Sequence, residues 1–227
     1  MTSVVRIGRR SLIVNTAEIA FVPRGGMQAS DHTDSHSLPG PAGLCADIFE
    51  HWQALVRNNE AALGIPIRDQ IDLLTLPKST RGNFFLIERR GDRYLVRLAA
   101  TTLVDNMGTE TTGKYLDELM RAEIYPARRA LFDLCVQQGC PVYYGATLAA
   151  PSRGHIAFRR ILLPLRSAAR AEIDLVCGVM EFLSAQELSD GPSTSPISGP
   201  HDPTDDKGLV FRRIFRADQW IDWSNAP

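Results

Sequence analysis

The pair Gly91-Asp92 stands between two runs that read as strands, NFFLIERR and RYLVRLAA. A two-residue loop of this kind closes a hairpin, so the two runs are committed to antiparallel pairing. Three further strand candidates, PVYYGATLAA, HIAFRRILLPL and EIDLVCGVMEFL, follow after a helical interval and are joined by the turns PSRG and RSAARA. Two strands, a helical crossover and three strands predict an α+β fold, a five-stranded antiparallel sheet with helices on one face, plus an N-terminal helix. Segregated strands and helices argue against a doubly wound sheet.

Asp47 with Glu50 three residues on is a capping-box pattern. Ile48, Trp52, Leu55, Asn59 and Leu63 then mark a helical stripe with one polar break, ended by Pro66. A short helical piece, DQIDLL, precedes Pro77. A longer helix begins near Pro126, which suits a first turn. Ala127, Ala130, Leu131, Leu134 and Gln138 share one of its faces, Gly139 supplies a left-handed stop, and Pro141 blocks continuation. Between the hairpin and this helix lies TTLVDNMGTETTGKYLDEL, too irregular for a long helix and too long for a tight turn.

Two stretches lack the apolar residues needed to offset ordering entropy: Pro23 to Gly43 and Asp190 to Gly208, both rich in Pro, Gly, Ser and Asp. They divide the chain into an N-terminal extension (1–44), a domain (45–185), a linker (186–208) and an apolar C-terminal tail (209–227). Phe211, Ile214, Phe215, Trp220 and Trp223 are too many large apolar groups for a solvated tail, so the tail is predicted to dock. With 44% hydrophobic and 22% charged residues the domain can bury a core, and a net charge of −1 favours neither nucleic acid nor an anionic membrane. Arg6, Arg9 and Arg10 precede SLIV, but Asn15 and Glu18 break the apolar run a signal peptide needs. No stretch approaches the ~18 apolar residues of a membrane span, and a cytoplasmic location is expected.

These blocks carry a resemblance. EHWQALVRNN, IPIRDQIDLLTLP, RLAATTLVDNMGTETTGKYLDEL and GCPVYYGATLAAPSRGHIAFRRILLPLRSAARAEIDLVCGVM, in this order, are similar to a PAS domain. They look most like the bacterial stand-alone PAS-like family formerly listed as a domain of unknown function. The likeness spans about Ile48 to Leu183 and departs at Ala99-Ala100-Thr101, where the family more often shows a Gly before the Thr. It implies that Thr101 to Gln138 roofs one face of the sheet and can leave a cavity. It also implies a ligand sensor or a docking platform. After Gly208 there is no room for a kinase, cyclase or DNA-binding domain, so output is expected through a signalling partner or a homodimer.

No cofactor is expected. A haem ligand would suit the long helix, yet His32, His36, His51, His155 and His201 all lie outside Pro126 to Gly139. A flavin photosensor would need a cysteine in TTLVDNMGTETTGKYL, which has none. DHTDSH (Asp31 to His36) has metal-binding residue types but no rigid surroundings to orient them. The cysteines Cys45, Cys135, Cys140 and Cys177 form no CxxC pair and read as buried thiols. Hydrolase, zinc-protease and nucleotide-binding motifs are absent. Pairing His155 with Cys135 or Cys140 offers no third group to orient the base. No catalytic residue is therefore assigned, and the protein is expected not to be an enzyme.

Two reading options remain for the interior. Arg97, Met107, Tyr115, Met120, Leu131, Cys135 and Tyr143 are candidate linings of a small-molecule cavity, Arg97 suiting an anionic group; alternatively they fill a core. The stripe Ile48, Trp52 and Leu55 is a candidate dimer interface.

Overall fold

The computed structural model describes residues 5–7, 10–12, 38–58, 64–147, 156–170, 172–183, 187 and 209–223. The chain forms two compact units, Met1–Ser35 and His36–Pro227. In the first, strands β1 (Val5–Ile7) and β2 (Arg10–Leu12) pair antiparallel. The second holds all remaining elements.

Helix α1 (Leu44–Arg57) opens the second unit. The hairpin follows as β3 (Phe84–Arg90) and β4 (Arg93–Ala99), turning at Gly91-Asp92. Helices α2 (Thr101–Met107), α3 (Leu116–Leu119) and α4 (Tyr125–Gln138) make the crossover. Strands β5 (Val142–Thr147), β6 (Ala157–Arg166) and β7 (Ile173–Leu183) complete the expected five. Pro126 lies in the first turn of α4, and Gly139 ends it at φ 62°.

The sheet is larger than expected. Its order is β4-β3-β7-β6-β5-β8-β9, with β8 (Leu209–Arg216) and β9 (Gln219–Asp222) drawn from the C-terminal tail. Every pairing in it is antiparallel. The tail docks by strand addition along the free edge of β5, with Val142 opposite Ile214 and Gly145 opposite Phe211.

Both faces of the sheet are covered, a second departure from the one-sided expectation. On one face, α2, α3 and α4 pack on Phe85, Ile87, Val96, Tyr144, Leu162 and Met180. On the other, α1 lays Cys45, Ile48, Phe49 and Trp52 on Leu86, Tyr143, Ile161, Leu163 and Val179. The period of 2 along each strand alternates these two sets. Trp52 donates its indole N–H to the carbonyl of Pro164 at 3.0 Å, so burial of the ring leaves no polar atom stranded.

This placement corrects the dimer stripe. Ile48 and Trp52 are buried against the chain's own sheet, and Leu55 packs half-buried on the same cluster. Helix α1 also starts earlier than the capping-box pattern suggests: Gly43 is its N-cap, and Asp47 lies in its first turn, accepting from the Ser79 hydroxyl at 2.6 Å. The helix stops at Arg57, while Asn59 and Leu63 lie outside the described residues. At the departure from the family pattern, Ala100 caps α2 with φ −72° and ψ 162°, a conformation any residue adopts. No helix among the described residues is long and apolar enough to cross a membrane.

Candidate functional site

The segment between β4 and α4 is fastened to the edge of β4. Val96 N–H donates to the Lys114 carbonyl at 2.9 Å, and Gly113 N–H donates to the Val96 carbonyl at 2.8 Å. Just before this tether, the Glu110 carboxylate accepts the backbone N–H groups of Thr111 and Thr112 at 2.9 and 2.8 Å, which holds Glu110 below the usual carboxylate range. Farther along, the Arg93 guanidinium lies 3.7 Å from the Tyr115 ring centre and ion-pairs with Asp117 and Glu118. The tethered segment therefore stands over the sheet as a wall.

Behind the wall is a cavity of about 40 Å3. Phe85, Ile87, Val96 and Ala99 form its floor; Leu103 and Met107 come from α2; Leu116, Leu119 and Met120 come from α3 and the turn after it. Thr111, Arg160 and Met180 complete the lining. Ten of the twelve lining residues are apolar, so the space is small, mainly apolar and not filled by side chains.

Of the seven candidate lining residues, Met107 and Met120 line the cavity. Arg97 does not: it is exposed and pairs with Glu88 at 3.0 Å. The reason is a register shift in the hairpin. Leu86 faces Leu98 while Ile87 faces Val96, leaving Arg97 as the extra residue of a bulge. Val96 takes the inward position. Tyr143 is buried on the opposite face, its ring 5.0 Å from that of Phe211, because alternation gives the α4 side to Tyr144. Leu131 and Cys135 are wholly buried on α4 within the core rather than at the cavity wall. Tyr115 stands outside the lining as the N-cap of α3.

The charged residue at the cavity is Arg160, which sequence reasoning missed. A signal was present: in AFRRILL, alternation puts Phe158, Arg160 and Leu162 on one face. Its neighbour Arg159 points the other way and pairs with Glu181 at 3.2 Å.

The thiols are all free and buried. Burial pushes Cys135 well above its ordinary range and Cys177 up to about 12, so neither supplies a thiolate at neutral pH. His155 and the stretch DHTDSH lie outside the described residues. Among the described residues no cluster of His, Cys, Asp or Glu is placed to hold a metal.

The architecture is thus that of a sensor-type α+β domain: an antiparallel sheet, a helical roof and a small, mainly apolar chamber between them. A family model described as a PAS domain matches residues 44–181, and the chain belongs to that family. The match begins where α1 begins and ends within β7, so β8 and β9 lie beyond it. No curated protein matches the chain.

Proposed function

We propose that this protein is a signalling or regulatory PAS-domain protein that works through protein contacts, with a small ligand in the cavity setting its state. One observation carries the reading. The wall of the cavity is two short helices, α2 and α3, joined by an irregular stretch tethered to β4, so filling the space bears directly on α2, α3 and the exposed surface above them. The polar lining consists of Thr111 and Arg160, without the acid, base or nucleophile that catalysis needs, which favours a non-enzymatic role. Its output passes to a signalling partner or to a second copy of the chain.

Native mass spectrometry of protein purified from its own host tests the ligand. A bound mass that is lost in Leu103→Trp, which fills the chamber, is the expected result. No bound mass, together with partner capture unchanged in Leu103→Trp, would instead identify a constitutive adaptor.

A further inference from the structure

Arg160 is the charged side chain that lines the cavity, and its surroundings are neutral. Nη1 donates to the Tyr144 hydroxyl at 3.3 Å, Nη2 contacts Met180 Sδ at 2.9 Å, and Nε is buried without a partner. The rings of Phe85 and Phe158 lie 5.0 and 5.6 Å from the guanidinium carbon. Among the described residues no carboxylate pairs with it, and the nearby Glu181 is engaged by Arg159 on the other face. A sulfur and a phenol are weak acceptors for a half-buried guanidinium. The charge at this site is uncompensated by the protein itself.

We propose that the cavity takes a small aliphatic monocarboxylate, its carboxylate on Arg160 and its hydrocarbon chain among Leu103, Met107 and Met120. This rests on the sensor reading of the same cavity. The planar guanidinium matches a carboxylate with two parallel hydrogen bonds. One cation supports one anionic group, which disfavours dicarboxylates. No carboxylate lines the chamber to receive an ammonium group, which disfavours amino acids. The remaining walls are apolar apart from Thr111, and about 40 Å3 limits the tail to a few carbons.

The protein carries its own reporters: Met107, Met120 and Met180, three of its five methionines, line the chamber. Full-length protein with 13C-labelled methionine methyl groups is titrated with sodium butanoate and, separately, with butanamide, its uncharged counterpart. Butanoate should shift these three methyl signals saturably, with an affinity at least tenfold above that of butanamide. Arg160→Met should abolish the preference, and Arg160→Lys, which keeps the charge without the fork, should retain part of it. If Arg160→Met fails to fold, Arg160→Lys decides, because unchanged butanoate affinity in it overturns the proposal. Equal binding of butanamide, or no response to butanoate, also overturns it. An uncharged molecule found bound in host-purified protein would sink the carboxylate and leave the sensor reading standing. Absence of any bound mass with a harmless Leu103→Trp would remove both.

Discussion

At Gly178, in the middle of β7, a Cβ would strike the carbonyl oxygen of Ile161 and sit 3.0 Å from the Phe85 ring. Backbone cannot rotate away as a side chain can, so Gly178→Ala should destabilise the fold by about 1–3 kcal/mol, the usual range for overpacking. Urea unfolding measures the loss, and an unchanged midpoint would show that the strands part easily there. His51 makes a different demand. Burial pushes its imidazole below the ordinary 6.5, and its Nε2 is buried without a partner. The unfolded chain then binds the proton more tightly than the folded one. The stabilisation is full above pH 6.5 and is lost as pH falls through the folded value. Unfolding midpoints should decline below pH 6.5, and His51→Gln should flatten that decline. Single residues were also the least legible part of the sequence. Placing Arg97, Tyr143 and Arg160 required knowing the strand register to one residue, and the bulge at Arg97 reverses the inward and outward positions from there on.

Among the elements, the hairpin and α4 were readable because their signals are local: Gly91-Asp92 between two strands, and Pro126 with Gly139 at the two ends of a helix. The β8–β9 hairpin was not, because its partner β5 lies more than 60 residues earlier and nothing local announces the pairing. The second covered face left a trace that a one-sided reading passes over. DLVCGVM in β7 is buried at every position, which is the pattern of a strand enclosed on both sides. Trp220 ties these elements together. It is 5% exposed, with its ring centre 5.1 Å from that of Phe49 on α1 and 5.9 Å from that of Tyr143 on β5. Trp220→Ala should cost about 3–5 kcal/mol, as large-to-small changes of buried aromatics do. Denaturant unfolding of the variant gives the number. A loss below about 1 kcal/mol would mean that the tail contributes little to the fold.

Over the whole molecule, the sheet manages its two edges differently. The outer edge of β4 is partly occupied by the 113–115 segment, while on the other side β8 and β9 extend the sheet beyond β5, so that the short strand β9 forms the second edge. Removing residues 209–227 would leave β5 with unpaired backbone groups beside the uncovered Tyr143, a template for pairing with another chain. The truncated protein should therefore self-associate more strongly than the full chain, which light scattering over a concentration series detects.

The tail also reaches back to the start of the unit: Leu38 N–H donates to the Trp220 carbonyl at 2.9 Å, and Arg213 donates to the Pro39 carbonyl at 2.7 Å. During synthesis, α1 leaves the ribosome long before the strands that cover its aromatic flank. Until Leu209 and the residues after it emerge, Phe49 has no Phe215 or Trp220 to meet. A nascent chain thus carries a sticky, half-finished helix through most of its translation, and a stalled one has reason to need a chaperone.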